Sequence, residues 1–314
     1  MNNGDLQRLH DSQMQEFELA RRNFDGLRQV IYRDIDFGAF PVRVQYNPAR
    51  MLSTNAKVDR QTLQSRPCFL CGEHLPEGQR GIAYGDGYHI FVNPYPIFPR
   101  HFTVPADAHI PQRMDAHIGT LLRLAADFTD YVVFYNGPEC GASAPDHFHF
   151  QMVPRQSMPL EQDIRREALR RTLVRKEGCS VAVLENYLRE VVVLRVSRWQ
   201  DLSEWFVRVR DGVGRLVPFQ EEPMMNVLAW YEDGWWTLCV CPRKLRRPRQ
   251  FFAEGEEKIL FSPGCVDMAG VIVAPRKEDF DRYSVPLLTD LFGQVSATSD
   301  VRDALIQELE KITL

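Results

Sequence analysis

The chain has no apolar run approaching the roughly eighteen residues that a membrane-spanning helix needs. Its N-terminal segment also lacks the continuous apolar stretch of a secretory signal, so no signal peptide is expected. Cysteine is scarce and odd in number: there are seven, scattered except for Cys68/Cys71 and Cys239/Cys241. That excludes a disulfide framework as the organising device and favours reduced thiols in a cytoplasm. Neither sign of charge dominates. Lys and Arg total 38 against 42 Asp and Glu, a net charge of -4, which gives no global attraction to nucleic acid or membrane. The 44% apolar and 25% charged shares are those of a soluble globular protein. Its 314 residues suffice for one large domain or two smaller ones around a substantial core.

The N-terminal segment reads as one amphipathic helix, with Phe17, Ala20, Phe24, Leu27 and Ile31 at three- and four-residue steps. AFPVRVQYN (39–47) reads as a strand, followed by a loop that carries Arg50 and Lys57. Next come GIAY, Gly85-Asp86-Gly87 and YHIFV, a strand-turn-strand pattern in which glycine supplies the positive φ of a hairpin turn. HFTVP and YVVFYN are further strands. Between them Pro111 is expected to open a helix with Met114, Ile118, Leu121, Leu122 and Ala125 on one face. VLAWY, Glu232-Asp233-Gly234 and WWTLCV repeat the hairpin pattern, and MAGVIVAPR (268–276) can be laid on HFHFQMVPR (147–155). The expectation is an internal duplication whose second copy lacks a polar face; independent hairpins of similar chemistry are the alternative. The tail from Val285 is expected to form two short helices, with Ser299 capping the second.

In HFHFQM, residues 147–152, polar and apolar side chains alternate. A strand sends alternate side chains to opposite faces. His147, His149 and Gln151 are therefore expected on one face, with Phe148, Phe150 and Met152 anchoring the other in the core. A half-exposed surface strand would show the same alternation without any site. Cys68-Phe-Leu-Cys71 has the spacing of half a zinc site, and a redox pair or chance are the other readings. No second Cys-x-x-Cys is present, so the remaining ligands would come from His or carboxylate. Candidates are His74, His89, His101, His109, His117 and His147. The run RKLRRPRQ (243–250) reads as a solvated face, a phosphate-acceptor site or a nucleic-acid patch. Absence of interleaved aromatics weighs against nucleic acid.

The segment NGPECGASAPDHFHFQ resembles the active-site segment of the histidine triad superfamily, in its nucleotidyltransferase and phosphorylase branch. That branch includes galactose-1-phosphate uridylyltransferase, diadenosine tetraphosphate phosphorylase and GDP-hexose phosphorylases. The matching pieces are Asn136-Gly137, Gly141-Ala142-Ser143 and His147-x-His149-x-Gln151, with Cys-x-x-Cys, FVNPYP and PRHFTVP before them. One residue, Asp146, is extra between the Ser-x-Pro of the loop and the first His. The later SPGCVDMAGVIVAPRKEDFD is similar to the C-terminal segment of the phosphorylases, whereas the Cys pair is similar to the uridylyltransferases.

The resemblance implies an α+β fold, an antiparallel sheet with flanking helices built as two histidine-triad-like halves. Residues 1–65 would form a leading helix and strand, 66–178 the catalytic half, and 179–314 a second, non-catalytic half with C-terminal helices. It implies nucleotidyl transfer from a nucleotide sugar or dinucleoside polyphosphate to phosphate or a sugar phosphate, through a covalent bond to His149. Gln151 would donate to a phosphate oxygen, and Asn136, Gly141 and Ser143 would line the phosphate site. Asn93 matches a nucleoside-contact position, although a turn Asn reads the same way. Arg50 and Lys57 are candidate phosphate contacts or solvated loop charges. His147 would share a structural zinc with Cys68, Cys71 and His109, with His101 as the rival for His109. A histidine-triad hydrolase and a non-catalytic nucleotide-binding protein are the alternative functions.

Overall fold

The computed structural model describes residues 1–51 and 59–310, so Lys57 lies outside the described residues. The strands in chain order are β1 (Ile31–Asp36), β2 (Pro41–Tyr46), β3 (Gly81–Tyr84), β4 (Tyr88–Val92), β5 (Phe102–Pro105), β6 (Tyr131–Asn136) and β7 (His149–Pro154). They continue as β8 (Arg170–Lys176), β9 (Cys179–Leu184), β10 (Val192–Val196), β11 (Met225–Glu232), β12 (Trp235–Pro242) and β13 (Val271–Ala274). Ten of them form one sheet in the order β3-β4-β5-β7-β6-β11-β12-β10-β9-β8, with every neighbouring pair antiparallel.

That order contains a repeat. β3, β4 and β5 run in sequence, the helix Ile118–Asp127 crosses over, and β6 and β7 return with β7 inserted beside β5. β8, β9 and β10 do the same, the helix Trp199–Leu216 crosses over, and β12 inserts beside β10. The two halves meet along β6 and β11, from Asn136 opposite Asn226 to Val133 opposite Ala229. The structure is thus mixed α+β with a large antiparallel sheet and flanking helices, as expected.

The expected register of the repeat is corrected. The hairpin β11–β12 corresponds to the pair β6–β7, not to β3–β4. MAGVIVAPR is not the partner of β7: its β13 lies in a separate three-stranded sheet, parallel to β2. Short apolar hairpins with Asp-Gly turns look alike in sequence, and only the crossover helices mark which pairs are equivalent. On β12, the strand beside β10, Cys239 and Cys241 are buried. The strand order also changes over between β7 and β8. The two groups of strands are joined by residues 155–169.

The sheet separates two cores. On one face Phe148, Phe150 and Met152 pack with Leu121, Leu122, Phe206, Val209 and Leu305 from the helices. On the other, Val132, Phe134, Val153 and Trp230 pack with Val42, Val44, Val271, Leu288 and Phe292.

Three local expectations also change. The N-terminal helix is two helices, Asn3–Glu16 and Glu18–Gly26, broken at an extended Phe17. The break lets Leu6, Leu9, Phe17 and Ala20 reach one core, while Ile31 opens β1 and is half exposed. The helix after Pro111 begins only at Ile118, because the Gln112 and Met114 amides donate to Pro145 O and Glu222 Oε1 instead. The tail does form two helices, Val285–Val295 and Ser299–Glu310, but Thr298 caps the second: its Oγ1 accepts from the Val301 amide. All seven cysteines are free. No helix among the described residues is long and apolar enough to cross a membrane.

A chain cut between Pro154 and Arg170 would leave β6 as an unpaired apolar edge. The N-terminal fragment alone is expected to aggregate and to become soluble on co-expression with the remainder, measured by size-exclusion chromatography. A soluble, folded N-terminal monomer would contradict this.

Candidate active site

On the second face of the sheet lies a cavity of about 410 Å³. It collects His149 and Gln151 from β7, Asn136 from the end of β6, Asn93, Arg50, Gly141 and Ser143. Seven of the expected residues thus share one space. Arg246, Arg247 and the segment Gly264–Asp267 complete it from the second half of the chain. Phe69, Leu70, Leu75, Pro76 and Phe91 give it an apolar share of its lining.

His149 opens β7, and only 3% of it is exposed. Its backbone is clamped by Gln112, which is completely buried. Gln112 Oε1 accepts from the His149 amide at 2.8 Å, and Gln112 Nε2 donates to the carbonyls of His149 and Asn136, both at 3.0 Å. Tyr135 Oη lies 3.1 Å from Gln112 O and 2.6 Å from Oε2 of buried Glu222. The ring Nδ1 lies 2.9 Å from the His147 carbonyl. A carbonyl only accepts, so Nδ1 carries the proton and Nε2 carries the lone pair. Among the described residues Nε2 has no hydrogen-bond partner. Burial pushes the imidazole down to about 4, so the ring is neutral at pH 7.

Two hydrogen-bond relays orient the amides beside it. The Ile97 amide donates to His101 Nδ1 at 3.2 Å, which places the His101 proton on Nε2. That nitrogen donates to Gln151 Oε1 at 2.8 Å, leaving the Gln151 NH₂ for the cavity. Burial holds His101 neutral, down to about 3, with Arg50 adding to the effect. In the second relay, completely buried Arg243 donates to Asn226 Oδ1 at 2.8 Å. Asn226 Nδ2 donates to Asn136 Oδ1 at 2.9 Å, and the Cys265 amide donates to the same oxygen at 2.7 Å. The Asn136 NH₂ is thereby left on the cavity side as well.

Gly141, at φ +97°, lets the loop before β7 touch the segment after Ser262. A Cβ there would lie 2.6 Å from Gly264 Cα, so only glycine fits this approach. Arg50 is anchored on Tyr95 O, and burial pushes it down to about 10 despite the pull of Asp267. Burial raises Asp267 to about 6, and its two oxygens accept from the Gly264 and Val273 amides. Asn93 lines the cavity but also closes a turn: its Oδ1 accepts from Tyr95 N and its Nδ2 donates to Thr103 Oγ1, both at 2.9 Å.

His147 does not share the strand face expected of it. It lies in a bend before β7, and its ring turns to Cys68 Sγ at 3.3 Å and Cys71 Sγ at 3.5 Å. His109 Nδ1 is 3.2 Å from Cys71 Sγ, and the four ligand atoms lie within 4.8 Å of one another. A tetrahedral zinc separates sulfur and nitrogen ligands by about 3.5 Å, so the residues present fit a metal. His147 Nε2 is 2.7 Å from the Ala106 carbonyl, which leaves Nδ1 as the coordinating lone pair. Asp146, the extra residue, ties this corner together: it pairs with Arg66 at 2.8 Å and lies 3.7 Å from His109 Nε2. His101 lies outside this group, and both its ring nitrogens are engaged, by the Ile97 amide and by Gln151.

Sequence reasoning missed Gln112, Asn226, Arg243 and the orienting role of His101. They act across the fold, and no spacing along the chain marks them. Arg246 and Arg247 lay within the basic run already singled out.

A protein family described as Domain of unknown function (DUF4922) matches residues 9–154. Yeast Ap4A phosphorylase Apa2 in complex with AMP superposes with a TM-score of 0.57 and 17% identity, covering 88% of this chain and 94% of that one. Its complex with Ap4A gives 0.55 and 16%, covering 90% and 97%. A galt-like protein from Arabidopsis thaliana aligns more loosely, at 0.35 and 12%, covering 83% and 99%. No curated protein sequence matches the chain. At these identities the likeness establishes the fold.

Gln112→Ala would strip partners from the His149 amide and from two carbonyls. Each buried unsatisfied group costs about 1–3 kcal/mol. A loss of several kcal/mol is expected in urea unfolding, and an unchanged midpoint would show that the clamp contributes nothing.

Proposed function

We propose that the protein is a nucleotidyltransferase of the phosphorylase type, acting on a nucleotide sugar or dinucleoside polyphosphate through nucleotidyl-His149. The observation that carries this reading is the tautomer of His149. Its Nδ1–H is committed to the His147 carbonyl, and its Nε2 lone pair is left beside the cavity-facing amide of Gln151. The similar yeast structures are complexes with AMP and with Ap4A, which supports a nucleotide substrate.

In the first step Nε2 donates its lone pair to the α-phosphorus, and the bond from phosphorus to the leaving phosphate oxygen breaks with its electrons. The positive charge that develops on the ring is stabilised through Nδ1–H by the His147 carbonyl. Gln151 and Asn136 donate to the non-bridging oxygens, and a positioned neutral donor of this kind is worth roughly 2.7–4 kcal/mol. The apolar lining at Phe69 and Leu70 accepts the base, and Arg50 accepts the donor's phosphates. In the second step an acceptor oxygen attacks phosphorus and the electron pair returns to Nε2. Water needs a base for that attack. Asp267, the one carboxylate among the described lining residues, already accepts two amides, and His101 is locked behind Gln151. A phosphate acceptor arrives already ionised, which favours phosphorolysis over hydrolysis.

Zinc would be held by Cys68, Cys71, His109 and His147 as a closed, structural site. It would fix the His147 carbonyl that receives Nδ1–H, without touching substrate.

Incubation with labelled dinucleoside polyphosphate or nucleotide sugar is expected to leave acid-labile nucleotide on the protein, discharged by phosphate and absent from His149→Ala. Failure to label with any member of a substrate panel would sink the reading. Because burial makes the cation costly, the neutral ring persists into acid. The labelling rate should stay level down to about pH 5, where an ordinary imidazole of pKa ~6.5 would be mostly protonated. Elemental analysis should find about one zinc per chain, lost in Cys71→Ser and kept in His101→Gln. Unchanged zinc in Cys71→Ser would refute the site.

A further inference from the structure

We propose that Arg246 and Arg247 form the acceptor subsite and that they hold a phosphate oxyanion, either inorganic phosphate or a phosphomonoester. The inference rests on the nucleotidyl-transfer reading of the cavity and deepens it. Its consequence is that the second half of the chain, which has no nucleophile, supplies the site for the second substrate.

Both arginines line the same cavity as His149 and Gln151. Arg246 Nη2 donates to Ala142 O at 3.4 Å, which sets this guanidinium against the loop before β7. Its Nε is buried and has no hydrogen-bond partner among the described residues. No carboxylate lies within ion-pair distance of Arg246 among the described residues; Glu139 acts on it only from farther off, as Asp267 does on Arg50. Arg247 Nε donates to Ser262 Oγ at 2.8 Å, and its guanidinium sits 3.9 Å from the Phe251 ring centre. Burial, reinforced by the charge of Arg246, pushes Arg247 down to about 10. Two adjacent half-buried cations gain from an incoming anion, and the planar guanidinium fork matches phosphate oxygens.

The turn that carries them is fixed from below. Arg243 donates to the carbonyls of Leu245 and Arg246 at 3.0 and 3.2 Å, and also to Pro263 O at 3.1 Å. The same guanidinium begins the relay to Asn136. One buried cation therefore sets both the acceptor turn and the amide beside the nucleophile.

The chemistry balances without an added base. An oxygen of the acceptor forms a bond to the phosphorus of nucleotidyl-His149. The phosphorus–nitrogen bond breaks and its pair returns to Nε2. Arg246 and Arg247 offset the repulsion between acceptor and nucleotidyl phosphate as the two approach.

The test separates the half-reactions. Wild type, Arg246→Gln and Arg247→Gln are labelled with radioactive nucleotide, freed of excess substrate, and chased with buffer, inorganic phosphate or a sugar 1-phosphate. Circular dichroism and melting temperature check that each variant is folded. The expected result is discharge by one of the two phosphates in wild type, falling roughly 10²-fold in at least one variant, with buffer discharge unaltered. The two phosphate arms identify which source the subsite takes. Labelled, folded variants that discharge with wild-type phosphate dependence would overturn the subsite and leave the parent reading standing. Discharge of wild type no faster with either phosphate than with buffer would also overturn it. Wild type that never labels removes the parent reading, and this one with it.

Discussion

The arrangement depends on one hydrogen bond, from Nδ1 of His149 to the carbonyl of His147 two residues earlier. That bond decides which ring nitrogen keeps its lone pair and which way the ring faces. A bond between residues so close in sequence is only as reliable as the backbone that carries it. Here the backbone is held on both sides: the side chain of His147 is tied into the Cys68/Cys71/His109 cluster, and the main chain of His149 is gripped by Gln112. The neutral ring follows from the same burial that makes the strand rigid, so a single packing decision sets position, tautomer and charge together.

The two halves divide the labour unequally. Sheet topology repeats, and the repeat gives each half the same place for a strand beside β5 or β10. In the first half that strand is β7, with His149 and Gln151 facing a cavity. In the second it is β12, where Cys239 and Cys241 face a sealed core. The second half instead contributes Asn226, Arg243 and the turn after β12 to the first half's cavity. Its folding is therefore part of assembling the site, through the β6–β11 seam that brings Asn226 opposite Asn136.

Much of the site was legible in the sequence because its signals are periodic or closely spaced. Alternation along 147–152 announced a strand with one apolar face, and Phe148, Phe150 and Met152 do lie in the core. Cys-x-x-Cys pointed to a cluster of soft ligands, and His109 and His147, which the resemblance implied beside it, do lie with Cys68 and Cys71 in one group. What was missed has no period. His101 and Gln112 are single polar residues in apolar surroundings, and their roles depend on hydrogen bonds to residues 50 and 37 positions away. The break at Phe17 was invisible for a related reason: the helical spacing of apolar residues continues across it while the backbone does not. Similar turn chemistry in every hairpin likewise hid which strands are equivalent in the two halves.

The contact between Gly141 and Gly264 joins two loops more than a hundred residues apart, backbone against backbone. The first loop cannot gain a side chain at that point without displacing the second, and a Cβ on Gly264 would press on the Asn136 amide instead, so the two loops constitute one object with a chain break. Any chimaera that transplants the first loop into another scaffold must carry the second along with it, and libraries that randomise one alone will sample mostly misfits.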